Sequence, residues 1–378
     1  MLPEAESRPI RKLAIVGVGL MGGSLALAAR QHARVREVRG FDADPRMLDE
    51  ALAAGIITRR CASVEEAAAG ADLVVICTPV RSIPALVEAA ASASPPPRLI
   101  TDIGSTKAAL LATLSSRARR LFIGGHPICG AETSGVRFAR ADLFERATYF
   151  LCPPEDAPPE AHEAIHTLIA ALGARPVVIG AEAHDRIMAL VSHVPHVLAN
   201  VLMAEVGSFE ASGRRALYSV GPSFKDLTRV AGANPAMWSD IFFDNRDALI
   251  SALKSVAADI MLLCENLRDG DEDQVTKGIQ RAATFRRELL QHEDIVPDTL
   301  HRVTVRIPDE PGVLSRVMTA LGNANINIED LTLHHFSRTV GGDLVLYVSG
   351  EVEATAVRRL VEALGYPAVV AFAGDLGA

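Results

Sequence analysis

A short apolar run leads directly into a glycine-rich turn near the start of the chain, and this junction constrains the fold most. Residues 13–18 indicate a buried strand, and the alanine-rich residues 25–30 indicate a helix. Between them, Gly17, Gly19 and Gly22 have the spacing GxGxxG. A strand, a glycine turn and a helix in this order are typical of the first unit of a dinucleotide-binding fold.

Each glycine of this turn has a distinct expected role. Gly17 permits the tight turn, Gly19 lets the backbone approach a pyrophosphate, and Gly22 allows the helix to pack closely on the strand. The phosphates would lie at the helix N-terminus, where free N–H groups attract anions. We therefore predict a cofactor-binding turn that also includes Leu20 and Met21.

An acidic residue follows the second predicted strand, residues 38–42. Asp42 lies twenty residues after Gly22, where a carboxylate would accept hydrogen bonds from the adenosine ribose. The same carboxylate would repel a 2′-phosphate, which favours NAD over NADP. Arg46 is close enough in sequence to soften that repulsion, so the cofactor preference is left open.

Strand and helix patterns continue to alternate up to about residue 180. Further strands are expected at residues 72–77, 99–103, 122–125, 149–152 and 176–179, and helices at residues 83–91 and 160–172. This alternation predicts a doubly wound α/β sheet with a ligand crevice beyond the strand carboxyl ends. Segments that follow strands, at Gly17, Thr78-Pro79, Gly104-Ser105 and His126, would converge there. Ser105 has a second reading, as the N-cap of a helix.

Residues 125–135 place His126, a carboxylate, hydroxyls and glycines directly after a predicted strand. A histidine beside a dinucleotide site indicates proton transfer coupled to hydride transfer. The alternative is a glycine- and proline-rich turn with an incidental histidine.

From about residue 181 the pattern becomes helical, over residues 183–212, 221–231, 235–265 and 271–290. The first of these helices carries His184, Asp185, His193 and His196. His193 and His196 are three apart and share a face, and Pro195 can kink the helix there. Two histidines on one face with a carboxylate could bind zinc, but this spacing differs from HExxH and no cysteine joins the set, so no metal is expected.

Two further residues of the helical part are candidates for the site. Arg229 is a fork-shaped donor suited to a substrate carboxylate, or else it forms a surface ion pair with Asp226. Trp238, the single tryptophan, is a core residue or a ligand contact.

A polar, proline-bearing linker at residues 294–298 precedes a third pattern, read as βαββαβ, the ferredoxin-like order. The expected domains are thus residues 1–180, a Rossmann-type nucleotide-binding domain; residues 181–296, an all-α domain; and residues 297–378, a ferredoxin-like domain.

Composition narrows the functional class. The formal net charge is −8 and aromatic residues make up 4% of the chain, which argues against nucleic acid as a partner. The five cysteines are scattered, no secretory signal is visible, and no eighteen-residue apolar run occurs. We therefore expect a soluble cytoplasmic protein with no membrane partner.

With these pieces placed, the chain resembles the prephenate dehydrogenases of the TyrA family. The resemblance is carried by residues 17–24, 102–107, 126–135, 184–196 and 226–238, in family order. The third domain resembles an ACT module, through residues 309–314 and 325–328.

The resemblance implies NAD-dependent oxidative decarboxylation of prephenate to 4-hydroxyphenylpyruvate, in tyrosine synthesis. It makes His126 the base at the substrate hydroxyl, with Ser105 supporting it, and Arg229 the partner of a substrate carboxylate. It places His193 and His196 in the substrate pocket. Supporting and gating roles fall to Glu132, His184, Asp185 and Trp238.

The resemblance also implies assembly and regulation. The helical domain is long and apolar for its position, which predicts a homodimer built on it. The resemblance supports side-by-side pairing of ACT modules and implies tyrosine as inhibitor there. The effector site would lie near Asp309, Pro311, Gly312, Val313, Leu314 and Asn325.

Three other readings remain open. Cys129, Ala131, Thr133 and Lys225 depart from the family pattern, so arogenate is an alternative substrate. A non-catalytic sensor of NAD and an amino acid is a second alternative, which the intact His126, Ser105 and Arg229 oppose. A β-hydroxyacid-type dehydrogenase is a third, but its catalytic lysine is not found on the first long helix.

Overall fold

Eight strands form one sheet in the first part of the chain. The computed structural model describes residues 9–130, 133–154, 157–211, 214–292, 300–337 and 341–372. Its first elements are β1 (Lys12–Val16), α1 (Leu20–His32), β2 (Glu37–Phe41), α2 (Pro45–Ala53), β3 (Arg59–Arg60), α3 (Val64–Ala68), β4 (Leu73–Ile76), α4 (Ile83–Ser92), β5 (Leu99–Asp102), α5 (Ala108–Thr113), α6 (Ser116–Leu121), β6 (Phe122–Pro127), β7 (Thr148–Cys152), α7 (Pro159–Ala171) and β8 (Arg175–Val178).

The strand order is β3-β2-β1-β4-β5-β6-β7-β8, which confirms the Rossmann-type prediction. The order reverses direction beside β1, which lies between β2 and β4, so the crevice beyond the carboxyl ends opens there. Two features were not predicted. The two-residue β3 is too short to leave a pattern, and β7 runs antiparallel to β6.

The central strand β1 is buried on both faces. Leu13 and Ile15 join a core cluster with residues of α1 and α7, whereas Ala14 and Val16 join a second cluster with residues of α3 and α4. A strand covered on both faces is apolar at every position rather than at alternate ones. This is why residues 13–18 form a continuous apolar run.

Helices dominate the next segment, as predicted. They are α8 (Ala181–Met188), a π-helical turn (Ala189–His193), α9 (Val194–Ser208), the short strands β9 (Glu210–Ala211) and β10 (Arg214–Arg215), α10 (Pro222–Thr228), α11 (Pro235–Asp244), α12 (Arg246–Asp269) and α13 (Glu272–His292).

Three details of this segment correct the sequence interpretation. The β9–β10 pair follows the first long helix, where helix was expected to continue. The expected helix over residues 235–265 is two helices, separated at Asn245. The expected kink at Pro195 is preceded by the π-helical turn, which widens the helix at His193.

One stretch, Ala181–Ser208, is long and apolar enough to cross a membrane by length and composition alone. It also carries four polar side chains, of His184, Asp185, His193 and His196, that are buried within the protein. Buried polar groups of this kind are expected of a core helix that contributes to a site. At least one face of this stretch therefore packs inside the protein.

The described chain divides into two compact units, residues 1–259 and residues 260–378. The second contains the end of α12, α13 and a four-stranded antiparallel sheet, order β12-β13-β11-β14. The sheet elements are β11 (Leu300–Ile307), α14 (Val313–Asn323), β12 (Asp330–Ser337), β13 (Gly341–Ser349), α15 (Glu351–Ala363) and β14 (Ala368–Phe372). This is the predicted βαββαβ order. The predicted linker at residues 294–298 lies outside the described residues.

Candidate active site

A cavity of about 810 Å³ opens at the carboxyl ends of the sheet strands, within the first unit. The turns after β1, β4, β5 and β6 all contribute to its wall, as the topology predicts. The predicted residues that line it are Gly19, Leu20, Met21, Thr78, Pro79, Ser105, His126, His193 and Trp238. Gly17, Gly22 and Asp42 lie beside it without lining it.

Two glycines of the turn are required by packing, whereas the third faces the cavity. A Cβ on Gly17 would lie 2.5 Å from the carbonyl oxygen of Cys77, and a Cβ on Gly22 would lie 2.2 Å from that of Gly17. Gly17 also has a φ of +94°, which disfavours other residues. A Cβ on Gly19 would meet nothing within 4 Å, since Gly19 faces the cavity. Gly19 is also the N-cap of α1 and supplies no side chain there, so the first amides of the helix remain open to an anion.

Asp42 is held by the backbone around the glycine turn. Its carboxylate accepts hydrogen bonds from Val18 N at 2.7 Å and from Asp44 N at 2.9 Å. Arg46, which we considered as a partner for Asp42, instead pairs with Asp44 at 2.8 Å on the surface. The carboxylate of Asp42 is thereby fixed next to the turn.

His126 lies within β6, not in the turn after it as we expected. The strand continues through Pro127, and His126 pairs with Phe150 of β7. Gly125 is required by packing, because a Cβ there would lie 2.4 Å from the carbonyl oxygen of Asp102. The glycine before the histidine therefore allows close packing rather than flexibility.

A buried ion pair supports this part of the strand. Asp102 and Lys107 have fully buried side chains and form an ion pair. The Asp102 carboxylate also accepts hydrogen bonds from Gly125 N at 2.9 Å and Gly104 N at 2.8 Å. Both residues lie in residues 102–107, one of the segments that carry the family resemblance, but nothing in the sequence indicates that they pair with one another.

Three side chains form a hydrogen-bonded chain behind the cavity. His126 Nδ1 lies 2.9 Å from His184 Nε2, and His184 Nδ1 lies 2.8 Å from Asp185 Oδ1. The Asp185 carboxylate also accepts from the backbone N–H groups of Lys107 at 2.9 Å and Ala108 at 2.8 Å, at the start of α5. The chain leaves His126 Nε2 as the nitrogen available to the cavity.

Burial favours the neutral form of His126, His193 and His196. It lowers the pKa of His126 well below the usual value of a histidine, and the nearby His184 and Lys107 lower it further. Burial lowers the pKa of His193 to about 4 and also lowers the pKa of His196. A neutral imidazole with a free nitrogen can accept a proton.

His193 and Trp238 occupy the opposite wall, on the helical segment. The two rings meet edge to face with centroids 6.2 Å apart. His193 Nδ1 lies 3.2 Å from Asn245 Nδ2, a contact that the sequence did not reveal. No pattern marked Asn245, because the apolar periodicity continues across it.

A second chamber of about 310 Å³ adjoins the first and shares Trp238 with it. Its wall includes His196, Asn200, Ser239 and Phe242. His196 is 3% exposed, and its Nδ1 has no hydrogen-bond partner among the described residues. The chamber thus combines an aromatic wall with an unsatisfied polar atom.

Several predicted residues are placed elsewhere. Ser105 is not a helix cap, because α5 begins three residues later with Lys107 at its N-cap. Arg229 is exposed in a single turn (Arg229–Gly232) and does not line either chamber. Glu132 lies outside the described residues.

The remaining predictions concern Cys129, the effector residues and metals. Cys129 lines the cavity, and burial raises its thiol pKa to about 11. In the second unit, Gly312 caps α14 with a φ of +88°, and Asn325 follows that helix with a φ of +55°. Asp309 and Pro311 precede this cap, while Val313 and Leu314 form the first turn of α14. Among the described residues, no group of three or more His, Cys, Asp or Glu side chains is arranged to hold a metal ion.

Comparison with known proteins accounts for this arrangement. Residues 25–178 match the nucleotide-binding domain of prephenate dehydrogenase, residues 180–281 its dimerization domain, and residues 301–365 the ACT domain. The cyclohexadienyl dehydrogenase of Zymomonas mobilis is 32% identical over 290 residues, 76% of this chain and 99% of that protein. The prephenate dehydrogenase of Bacillus subtilis is 29% identical over 353 residues, 92% of this chain and 95% of that protein.

A solved structure agrees with these matches. Prephenate dehydrogenase from A. aeolicus, in complex with hydroxyphenyl propionate and NAD⁺, superposes with a TM-score of 0.69 at 28% identity, covering 75% of this chain and all of that one. Three domains in family order and two relatives matched over nearly their whole length leave one assignment: the chain is an oxidoreductase that belongs to the prephenate dehydrogenase family and carries a C-terminal ACT domain.

Proposed function

We propose that this enzyme catalyses the NAD-dependent oxidative decarboxylation of prephenate to 4-hydroxyphenylpyruvate. The observation that carries the proposal is the series of hydrogen bonds from Asp185 through His184 to His126. His126 lines a cavity whose wall also includes residues of the glycine turn. One wall thus offers a proton acceptor, and an adjacent wall offers a nucleotide cradle.

The residues present fit NAD. The open amides at the start of α1 suit the pyrophosphate, Gly19 leaves room for it, and the fixed Asp42 carboxylate suits the ribose hydroxyls. Arg46 pairs with Asp44 rather than with Asp42, so the Asp42 carboxylate can still repel a 2′-phosphate, which favours NAD over NADP. Held by the α1 amides, Gly19 and Asp42, NAD would supply the acceptor for a hydride from the ring carbon that bears the 4-hydroxyl.

His126 acts on the substrate hydroxyl. Because Asp185 accepts from His184 Nδ1, a neutral His184 presents a lone pair at Nε2, and His126 donates its Nδ1 proton to it. The lone pair of His126 is then on Nε2, at the cavity. It takes the hydroxyl proton as hydride leaves, while Asp185 and His184 hold the ring in the orientation that presents Nε2 to the cavity. Loss of the ring carboxylate as CO2 leaves its bonding electron pair with the ring, which becomes aromatic as a phenoxide. Protonated His126 then returns the proton to that oxygen.

Substrate contacts are proposed for the remaining residues. Ser105 lines the cavity with His126 and suits a hydrogen bond to the same hydroxyl. His193, His196 and Trp238 suit the substrate side chain, which the second chamber has room to receive. We propose that Arg229 binds a substrate carboxylate. Because Arg229 is exposed within one chain and lines neither chamber, this role requires a second copy of the chain to complete the site.

Arogenate is a second candidate substrate. The observation in its favour is the match to a cyclohexadienyl dehydrogenase, a name that covers more than one cyclohexadienyl acid. The two substrates differ only in the side chain, where a keto group is replaced by an amino group. Residues around the second chamber would therefore decide between them.

Assembly, regulation and location complete the proposal. We propose a homodimer, supported by the match to a dimerization domain and by exposed apolar side chains on α12 and α13, including Met261, Leu267 and Phe285. We propose tyrosine as inhibitor at the ACT domain. We propose domain boundaries at residues 180 and 296. We also propose a cytoplasmic location, with which five free cysteines agree.

The test follows NADH formation by absorbance with prephenate and with arogenate, each with and without tyrosine. Turnover of prephenate with NAD, slowed by tyrosine, is expected. If the enzyme turned over arogenate but not prephenate, arogenate would be its substrate. If it turned over neither, the proposed reaction would be refuted. Inhibition by tyrosine that survives removal of the charge at Asp309 and a side chain added at Gly312 would move the effector away from these residues.

A further inference from the structure

Asn245 interrupts the long helical pattern and makes two contacts that hold the opposite wall of the cavity. Its side-chain nitrogen, Nδ2, donates to the backbone oxygen of Asp185 at 2.8 Å. The same nitrogen lies 3.2 Å from His193 Nδ1. The residue is 4% exposed and lies between α11 and α12, so both contacts are made away from solvent.

The orientation of this amide follows from its partners. A backbone carbonyl can only accept, so the NH2 end of Asn245, not its oxygen, must face Asp185. That nitrogen carries two hydrogens, and the second is directed to His193 Nδ1. A nitrogen that receives this hydrogen bond must have a lone pair. The proton of neutral His193 is therefore on Nε2.

We propose that Asn245 is a positioning residue that holds His193 in the Nε2–H tautomer, so that His193 donates a hydrogen bond to a substrate oxygen. His126 is held in the opposite state, with its lone pair on Nε2, by His184. The same cavity thus contains one imidazole fixed as an acceptor and one fixed as a donor. This pairing deepens the proposed function, because it gives the substrate one orientation between a proton acceptor and an anchor.

The surroundings of His193 favour a neutral donor. Asp185 and His184 of α8, His196 of α9 and, across the cavity, His126 of β6 are titratable groups that interact with it. The aromatic rings of Trp238 and Phe242 cover it. Adding a proton at Nδ1 would place an N–H against the NH2 group of Asn245. The pKa of His193, which burial lowers to about 4, agrees with a ring that remains neutral. A neutral donor binds an oxygen without adding a charge that disturbs His126.

The first experiment reads the tautomers directly. Full-length enzyme with 15N-labelled histidine is examined by long-range 1H–15N NMR at pH 7.5, and the His193 signals are assigned by their loss in His193→Gln. A protonated Nε2 and an unprotonated Nδ1 are expected. A ring protonated at Nδ1, or at both nitrogens, would overturn the proposal whether or not any variant folds.

The second experiment changes the partner with little change of shape. In Asn245→Asp, the carboxylate accepts from His193 Nδ1–H, so neutral His193 turns a lone pair to the substrate. At pH 9 the KM for prephenate should rise roughly 10- to 100-fold, the loss expected for a hydrogen bond to a charged group. At pH 6 the imidazolium still carries Nε2–H, so KM should stay within about threefold of the wild-type value.

Controls separate positioning from stability and from the proposed reaction. Asn245→Ser removes the amide but keeps a small polar residue at the helix junction, and should raise KM at both pH values. The KM for NAD should not change in either variant. A KM for prephenate in Asn245→Asp that is equal at pH 6 and pH 9 would refute the positioning role. If the substrate assignment fails instead, turnover is absent while the tautomers of the wild-type protein remain as stated.

Discussion

His126 Nδ1 lies 2.9 Å from His184 Nε2, and this contact decides which nitrogen of His126 faces the cavity. The two residues come from different parts of the chain, one from a sheet strand and one from the first helix after the sheet. Asp185 fixes His184 in turn, and the first amides of α5 fix Asp185. The His126 nitrogen that faces the cavity is thus set by a series of hydrogen bonds that reaches back to the nucleotide-binding fold.

Replacing His126 by asparagine should lower kcat by roughly 10²- to 10⁴-fold, the usual contribution of a general base. Asparagine keeps a hydrogen-bonding side chain but cannot accept the hydroxyl proton. The KM for NAD should change little. Steady-state kinetics give the answer, with His166→Asn on the exposed face of α7 as the matched control. Wild-type kcat in His126→Asn would remove His126 from its proposed role.

Changing two glycines of the glycine turn to alanine should have different effects, one on stability and the other on NAD binding. Gly22→Ala places a Cβ 2.2 Å from the carbonyl oxygen of Gly17, so the free energy of unfolding should fall by about 1–3 kcal/mol. Gly19→Ala meets no protein atom within 4 Å and should fold normally, but it should raise the KM for NAD at least tenfold. Chemical denaturation and kinetics on both variants separate the effects. A stable Gly22→Ala, or a Gly19→Ala that binds NAD normally, would contradict this division.

Cofactor preference should depend on Asp42. Changing it to serine removes the carboxylate that opposes a 2′-phosphate, so the ratio of kcat/KM for NADP to that for NAD should rise roughly tenfold or more, for about 1.4 kcal/mol or more of lost repulsion. The control is Asp49→Ser, which removes a surface carboxylate with the same charge change. An equal ratio in both variants would show that Asp42 does not discriminate between the cofactors.

Acid should weaken the fold through the buried histidines. The pKa values of His126, His193 and His196 are lowered by burial, that of His193 to about 4, whereas an unfolded histidine has a pKa near 6.5. Between these values the unfolded chain binds more protons, so stability is fully present above about pH 6.5 and is lost as the pH falls towards 4. Each tenfold loss of proton affinity corresponds to about 1.4 kcal/mol. A melting temperature that is unchanged between pH 7.5 and pH 4.5 would contradict this account.

Arg229 provides a test of the assembled site. If it binds a substrate carboxylate, Arg229→Ala should raise the KM for prephenate by the equivalent of about 1.5–3 kcal/mol, with a smaller effect on kcat. Arg246→Ala removes another exposed arginine from the helical segment and should have no effect. Similar KM values for the two variants would return Arg229 to an ordinary surface role.

Local sequence patterns predicted the frame of the site well. The strand before Gly17, the position of Asp42 and the βαββαβ order of the last segment depend on neighbouring residues, and the structure has them as expected. Thr78, Ser105 and His126 line one cavity because β4, β5 and β6 are parallel, so that their carboxyl ends lie at the same edge of the sheet.

What the sequence missed depends on contacts between distant residues. The glycines around His126 indicated a turn, but Gly125 serves close packing on Asp102, which is visible only once β5 and β6 are paired. His126 and His184 are 58 positions apart, and no pattern links them. Asn245 breaks a helix whose apolar periodicity continues across the break, so a single long helix was the natural prediction there.

The attachment of Asp185 to the start of α5 has a consequence for how such enzymes diversify. The carboxylate that orients His126 through His184 belongs to the helical segment, yet its own geometry depends on amides of the nucleotide-binding fold. An exchange that grafted the helical segment of another dehydrogenase onto this sheet would bring its own residues to these amides and leave His126 without its orienting partner. The two segments are therefore expected to be inherited as a pair, because the Asp185 carboxylate joins them together with the contacts of Thr106 with Asp244 and of Arg81 with Asp240.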